Sequence, residues 1–355
     1  MTLENMPPLS GIPNELSPLL TDSLQRPLRD LRISVTDRCN MRCTYCMPRA
    51  VFDENYAYLP RAELLTFEEI ERVARVFADL GVQKIRLTGG EPLLRRGIEK
   101  LIERLALLRT LQGAPVEIAL TTNAVLLAQK AIALKAAGLS RLTVSLDSLK
   151  DDTFKRMTDS GTTVATVLEG IAAAKQAGFV GIKVNMVVRR GVNDAEILPM
   201  AAHFRHSGVV LRFIEYMDVG CSNAWRKDDM VSASETLAIV SSRYPVTPVA
   251  PDFRGEVAER WRYDDGAGEI GVIASVTQAF CRDCTRMRLS TDGKLFTCLF
   301  ASTGTDIRSA LRHDAGDASL ARIIIERWGS RDDRYSELRH LENGRTRIEM
   351  SYIGG

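Results

Sequence analysis

Two periodicities alternate along the first two thirds of the chain. Apolar residues at every second position predict six strands: Leu31–Thr36, Lys84–Thr88, Val116–Thr121, Arg141–Leu146, Ile182–Val188 and Val209–Glu215. Between them apolar residues recur at helical spacing over Phe67–Leu80, Ile98–Leu108, Leu126–Ala137, Val164–Ala177 and Asp194–Ser207. Gly81, Gly138, Gly178 and Gly208 stand where each helix must stop before the next strand. Thr66, with Glu69 three residues on, predicts a capping box. Strands that alternate with helices predict right-handed βαβ units and a parallel sheet.

The strands carry a second message. Parallel strands covered on both faces run apolar throughout. Here Arg32, Ser34 and Thr36 alternate with Leu31, Ile33 and Val35, and Lys84, Arg86 and Thr88 with Ile85 and Leu87. Thr143, Ser145 and Asp147 alternate with Leu142, Val144 and Leu146, and Lys183 and Asn185 with Ile182, Val184 and Met186. Successive side chains point to opposite faces, so one face is apolar under helices and the other is polar and cationic. The pattern predicts an α/β fold, an incomplete barrel whose wet lumen holds a charged ligand. The alternative is an open sheet with one solvated face.

Beyond Gly220 the alternation ends. Glu235–Ser242 reads as helix and Glu269–Ser275 as strand; Asp292-Gly293 signals a hairpin turn before a returning strand, Lys294–Phe300. Three segments are expected: a mobile extension over 1–28, the barrel over 29–220, and an α+β C-terminal domain over 221–355.

Composition narrows the class. In 355 residues, 45% are hydrophobic and 26% charged, which suits a globular protein. A net charge of +2 supplies no global field, so neither nucleic acid nor membrane is an expected partner and any basic site must be local. No apolar run reaches membrane-spanning length. The first residues lack a basic then apolar targeting pattern, and Glu4, Glu15 and Asp22 count against a transit peptide. Seven cysteines, most at metal-ligand spacing, argue for a reducing, cytoplasmic setting.

The chemistry sits in the loops. Cys39, Cys43 and Cys46, spaced C-x3-C-x2-C, follow the first strand. Thiolates bind soft centres, zinc takes four ligands, and three cysteines leave one corner of a four-iron cluster open for a small molecule. After the second strand comes Thr88-Gly89-Gly90-Glu91-Pro92. No Gly-Lys-Ser/Thr follows, so this is not a P-loop. Its glycines allow close approach of backbone to a ligand, and Glu91 is a candidate acceptor for an ammonium. Cys281 and Cys284 form a C-x2-C pair to which the hairpin returns Cys298. That trio predicts a metal site, either a cluster or a Cys3His zinc centre completed by His313 or His340. Arg286 and Arg288 face one side of the strand beside it. Cys221 is expected to be a small buried residue.

The cysteine loop and the Gly-Gly-Glu-Pro loop resemble the radical S-adenosylmethionine (SAM) superfamily. The whole set resembles one family within it, the GTP 3′,8-cyclases. The resemblance runs from about Arg29 to Gly355 and rests on Leu31 to Cys39, Tyr45-Cys46-Met47-Pro48, Ile85 to Leu93, Thr121-Thr122-Asn123, Val144 to Asp147, Lys183-Val184-Asn185, Phe213 to Gly220, Cys281 to Cys298 and the Gly354-Gly355 tail. It implies an incomplete (β/α)6 radical SAM barrel with a C-terminal extension that carries a second cluster. Cys39, Cys43 and Cys46 would ligate one [4Fe-4S] cluster, whose open iron chelates SAM. Cys281, Cys284 and Cys298 would ligate another, whose open iron binds the guanine of GTP. Tyr45, Gly90, Ser145 and Met217 match SAM-contacting positions. Arg32, Arg86, Thr121, Lys183, Arg286, Met287 and Arg288 match GTP-contacting positions, with Arg286, Arg288, Gly354 and Gly355 at the catalytic pocket.

The activity implied is a lyase reaction that opens molybdenum cofactor biosynthesis. A 5′-deoxyadenosyl radical takes hydrogen from ribose C3′ of GTP, and the resulting carbon radical closes onto guanine C8. Implied partners are an external electron donor, the downstream cyclic pyranopterin monophosphate synthase and a second copy in a homodimer. One departure stands out: the family's Thr-Thr-Asn-Gly reads Thr121-Thr122-Asn123-Ala124. Competing readings are a radical SAM enzyme with an auxiliary cluster that acts on a peptide, and a zinc-holding nucleic-acid module. The first leaves the cations of the lumen unexplained; the second lacks a basic stripe.

Overall fold

The computed structural model describes residues 19–313, 316–341 and 346–355. Its strands are β1 (Asp30–Ser34), β2 (Lys84–Thr88), β3 (Glu117–Thr122), β4 (Arg141–Ser145), β5 (Lys183–Val188), β6 (Val210–Glu215), β7 (Val246–Val249), β8 (Glu259–Tyr263), β9 (Glu269–Ile273), β10 (Arg286–Leu289), β11 (Lys294–Phe296) and β12 (Thr305–Asp306). All join one sheet in the order β12-β11-β10-β1-β2-β3-β4-β5-β6-β9-β8-β7.

The six expected strands are present and parallel to their neighbours. Two more extend the parallel set: β10 pairs with β1 and β9 with β6. The C-terminal part therefore does not build a sheet of its own. It adds to both flanks of the first one, then turns antiparallel at each edge. Since β12 and β7 end the order without pairing to each other, the sheet is an open, partial barrel.

The strand alternation has the packing it implied. Leu31, Ile33, Ile85, Leu87, Ile118, Leu120, Leu142, Val144, Val184 and Met186 all lie in one apolar core. Helices α1 (Phe67–Asp79), α2 (Ile98–Ala106) and α3 (Leu127–Ala136) cover that face with α4 (Asp151–Thr158), α5 (Val164–Gln176) and α6 (Ile197–Phe204). The Thr66–Glu69 capping box that starts α1 is complete: the Thr66 hydroxyl accepts from Glu69 N at 3.1 Å, and the Glu69 carboxylate from Thr66 N at 2.7 Å. Helix α4 escapes sequence reading because its apolar anchors, Phe154 and Met157, are only one turn apart. Strands β7 and β8 escape it because they lie at one edge of the sheet, largely half exposed or exposed, and the outermost, β7, contains Pro248. The last helices are α7 (Ala233–Ser241), α8 (Arg308–Arg312), α9 (Asp317–Gly329), α10 (Tyr335–Leu338) and α11 (Met350–Ile353). Among the described residues no helix is long and apolar enough to cross a membrane.

Three expectations need correction. Residues 19–28, read as part of a mobile extension, are packed: Leu28 is fully buried and Arg26 nearly so. Residues 1–18 of that extension lie outside the described residues. Cys221 is exposed, with its thiol taking the backbone N–H of Arg347 at 3.0 Å. Met287 lies on the core side of β10, opposite Leu31 and fully buried, because its neighbours Arg286 and Arg288 occupy the other face. Its side chain therefore cannot reach a ligand in the lumen.

Ala124, where the family has glycine, adopts φ = 64°. A left-handed alanine costs roughly 1–2 kcal/mol. Its fully buried methyl returns about 0.8 kcal/mol. Glycine would also free the unfolded chain, by about 0.4–1 kcal/mol. These terms nearly cancel, so Ala124→Gly is expected to shift unfolding stability by less than about 1 kcal/mol in a urea titration.

Candidate active site

The two loops after β1 and β2 are joined through their backbones. Gly90 N donates to Thr36 O and Glu91 N to Arg38 O, each at 2.8 Å. A Cβ on Gly89 would overlap the Thr36 carbonyl and one on Gly90 the Arg38 carbonyl, which is why both positions are glycine. Glu91 is turned inward. Its carboxylate takes Leu93 N at 2.9 Å, Thr122 Oγ1 at 2.7 Å and Asn123 N at 2.8 Å. Burial still pushes it up to about 7. It ties β2 to β3 and is not a free acceptor for an ammonium.

Cys39, Cys43 and Cys46 are half-buried free thiols. Burial pushes Cys39 up to about 11 and also raises Cys43 and Cys46, with the neighbouring thiols adding to the rise. Such thiols lose their protons only to a cationic centre that replaces them, so the donor set fits a soft metal cluster. Asn40 and Asn123 brace the loop: Asn123 Nδ2 lies 2.7 Å from Asn40 Oδ1 and 3.9 Å from Cys39 Sγ. Tyr45 donates its hydroxyl to Asp147 Oδ2 at 2.8 Å, and Val187 N holds the other oxygen at 2.8 Å. This pins the cysteine loop to the ends of β4 and β5. Ser145 ends β4, in register with Asn185, and Met217 lies just past β6.

The second trio lies at the opposite end of the same strands. Cys281 and Cys284 precede β10, which runs parallel to β1 with Asp30 facing Arg286. The antiparallel β11 carries the chain back, so Cys298 sits in the loop past the strand and not on it. Burial raises the Cys284 thiol, but Arg286 and Arg331 outweigh it and bring it down to about 6. Burial pushes Cys298 up to about 12. Among the described residues no three His, Cys, Asp or Glu side chains close on a single metal ion. His313 is exposed, with Nδ1 2.8 Å from Ser309 O, and His340 is exposed, so neither completes a Cys3His zinc site. Three thiols, two of them close enough to act on the buried guanidinium of Arg288, suit the corners of an anionic cluster.

Cations fill the space between. In register, Arg288, Arg32 and Arg86 lie side by side on β10, β1 and β2. β1 has five residues, so the trios are separated by roughly 16 Å of strand. Arg86 Nη1 donates to Thr121 Oγ1 at 3.0 Å and Thr143 Oγ1 at 3.2 Å. Lys183 and Arg212 continue the row, and Arg212 Nε meets Asn185 Oδ1 at 3.0 Å. Lys84 and Arg141 share Glu117. Arg32, Lys183, Arg286 and Arg288 have no carboxylate in ion-pair range among the described residues.

Burial and mutual repulsion push Arg32 well down, Arg288 to about 10 and Arg212 to about 9. Guanidinium keeps its proton, so this downward push reflects burial first and mutual repulsion second, and a bound anion would relieve both. Arg212 was missed in the sequence because Val210 and Ile214 break the polar alternation on its strand.

Burial, then Arg212 and the other cations, bring Lys183 down to about 8. Its folded value therefore lies below its unfolded one, and above about pH 8 the unfolded chain binds more protons. Stability of the ligand-free protein is expected to rise with pH from about 8 toward 10 on account of this group. A triphosphate favours the charged lysine, so its binding should take up a proton in the same range and weaken as pH rises. Calorimetric titrations with GTP in two buffers of different ionisation enthalpy check this.

Residues 353–355 enter from the C-terminal side. Ile353 is fully buried, and Arg288 Nη1 donates to the Gly354 carbonyl. Gly354 has φ = 75°, and a Cβ there would overlap Thr88 Cγ2. The segment is anchored upstream, where Arg347 Nη1 reaches Asp218 Oδ2 at 2.6 Å and Glu349 takes Cys221 N at 3.0 Å and Ser222 Oγ at 2.9 Å. Asp218 also accepts from Tyr335 and Arg339.

Comparison with known proteins agrees with this geometry. Residues 33–204 match the radical SAM superfamily and residues 209–337 match Molybdenum Cofactor Synthesis C. The chain is 53% identical to the GTP 3′,8-cyclase of Acidothermus cellulolyticus, over 95% of this chain and 99% of that protein. It is 46% identical to the GTP 3′,8-cyclase of Xanthomonas campestris pv. campestris strain 8004, over 99% of this chain and all of that protein. Among solved structures, SuiB of Streptococcus suis bound to S-adenosylmethionine superposes with a TM-score of 0.59 at 14% identity, over 90% of this chain and 69% of SuiB. That likeness concerns the fold alone. The chain belongs to the GTP 3′,8-cyclase family of the radical SAM superfamily.

Proposed function

We propose that the protein converts GTP to (8S)-3′,8-cyclo-7,8-dihydroguanosine 5′-triphosphate, the first step of molybdenum cofactor biosynthesis. The observation that carries this reading is the row of Arg288, Arg32 and Arg86 between two cysteine trios, with no carboxylate in ion-pair range among the described residues. A row of like charges is stabilised opposite a polyanion, and arginine forks bind phosphate through paired N–H donors.

Cys39, Cys43 and Cys46 would hold a [4Fe-4S] cluster and Cys281, Cys284 and Cys298 a second one. With SAM bound, the first would supply one-electron reductive chemistry. The chain's own residues do the rest. Tyr45, Gly90, Ser145 and Met217 line the SAM side. Arg32, Arg86, Thr121, Lys183 and Arg286 take the triphosphate with Arg288, and Arg212 adds a further cation. These contacts hold ribose and base in one orientation between the trios, which is where positioning lowers the barrier. Ile353 and Gly354 fill the mouth of the lumen and keep water from the reacting carbon. The division at about residue 220, an external electron donor, a homodimer, product transfer to cyclic pyranopterin monophosphate synthase and a cytoplasmic location belong to the same proposal.

Anaerobic incubation with GTP, SAM and dithionite is expected to release 5′-deoxyadenosine together with a cyclised nucleotide of the same mass as GTP, since the hydrogen lost from C3′ is replaced by one electron from dithionite and one proton. 5′-Deoxyadenosine without a modified nucleotide would refute the substrate. Iron analysis of protein reconstituted without oxygen is expected to give about eight irons per chain. Four would leave the second trio without its cluster.

A further inference from the structure

Behind the second cysteine trio lies an ion network that the chemistry above does not use. Asp22, Arg26 and Arg331 are 3%, 1% and 3% exposed. Asp22 Oδ2 pairs with Arg26 Nε at 2.5 Å and Arg331 Nη1 at 3.3 Å. Its Oδ1 takes the backbone N–H of Leu24 and of Arg26, both at 2.9 Å. From this hub the two guanidiniums reach the ligand loop. Arg26 Nη1 donates to Cys281 O at 2.8 Å and to Asp333 O at 2.7 Å. Arg331 Nη1 donates to Cys284 O at 2.7 Å, and its guanidinium faces the Cys284 thiol.

Two guanidiniums face two carboxylates of unequal burial: Asp22 is buried between them, whereas Asp333, with Oδ2 3.4 Å from Arg331 Nε, is half-buried and screened by solvent. Arg26 Nη2 is buried without a hydrogen-bond acceptor. With one free donor on Arg26 and the Arg331 guanidinium against Cys284, the network presents positive potential to whatever anion the trio carries. The network also explains why residues 19–28 are packed. Trp328 Nε1 holds Arg26 O at 3.2 Å and Ser23 Oγ holds Arg331 O at 2.5 Å, so the segment is fastened to α9 around the ion group.

We propose that Asp22, Arg26 and Arg331 are positioning residues for the second trio and set the reduction potential of the cluster it carries, an inference that rests on the two-cluster reading above. Reduction adds one electron to the cluster and breaks no bond. Each fixed guanidinium favours the more anionic, reduced state, and the carboxylate opposes it. Removing a cation must therefore lower the potential and removing the anion must raise it. A merely structural role predicts no such opposition of sign.

The test uses the full chain with Cys39→Ala, Cys43→Ala and Cys46→Ala, so that only the second trio can load. Iron and sulfide are counted after anaerobic reconstitution, and the midpoint is read by EPR during a mediated dithionite titration. Arg331→Gln is expected to make reduction about tenfold less favourable, a downward shift of about 59 mV. Asp22→Asn is expected to move the midpoint upward by a comparable amount, and Arg331→Lys to restore most of the loss. Should Arg331→Gln fail to fold by circular dichroism, the direction of the Asp22→Asn shift decides. A loaded cluster whose midpoint stays put in Asp22→Asn, or moves the same way in both variants, overturns the inference. A triple-alanine protein that binds no iron instead overturns the two-cluster reading on which it rests.

Discussion

Arg288→Ala is expected to cut GTP cyclisation roughly 100-fold while SAM cleavage in the absence of nucleotide is unchanged. A hydrogen bond to a charged group is worth about 1.5–3 kcal/mol, and this guanidinium is placed to make one to phosphate. It lies beside Arg32 in the sheet, buried in the lumen, and reaches the tail through the Gly354 carbonyl. The SAM side is built from other parts: the Cys39 loop, its backbone bonds to Gly90 and Glu91, and the Tyr45–Asp147 pair. Loss of Arg288 leaves these untouched. The comparison of 5′-deoxyadenosine formed without GTP against cyclised product formed with it reads the difference directly. An equal fall in both would take Arg288 out of the nucleotide site.

Removal of Gly354 and Gly355 is expected to leave iron content unchanged and lower turnover roughly 10- to 100-fold, the equivalent of one charged hydrogen bond. The tail gives Arg288 its carbonyl partner and stands against Thr88 at the end of β2. The two glycines should not be equivalent. Gly354→Ala places a Cβ against Thr88 and holds alanine at a left-handed φ, so it should approach the deletion in effect. Gly355→Ala meets the flexible Met350 side chain, which can move aside, so it should be mild. Turnover of Gly355→Ala as low as that of Gly354→Ala would show that strain at Gly354 is not what matters.

The fold likeness to SuiB shows how little the barrel alone decides. That enzyme shares the architecture at 14% identity, and the fold is silent on whether a peptide or a nucleotide enters the lumen. Here the lining decides. The alternation along β1, β2 and β5 already put Arg32, Arg86 and Lys183 on one polar face, so the candidate site was legible wherever a cation stood in a clean two-residue period. Arg212 was not, because its polar-face neighbours on β6 are Val210 and Ile214. Met287 was misplaced for the converse reason, since a motif read as a block ignores that adjacent strand residues face opposite ways.

By itself the sequence determined what depends on local period and spacing. That covers the six strands, the helices with their glycine stops, the capping box and the two cysteine trios, because these are set by residues within a turn or a loop of one another. Tertiary structure alone decided what depends on pairing between distant segments. Strands β10 and β9 join opposite flanks of the sheet, and the parallel pairing of β10 with β1 sets the trios at opposite ends of those strands with the arginine row between them. Asp22 and Arg26 meet Arg331 some three hundred residues later. No local pattern encodes such contacts, since they follow from burying one continuous apolar face and from pairing charges that this burial strands.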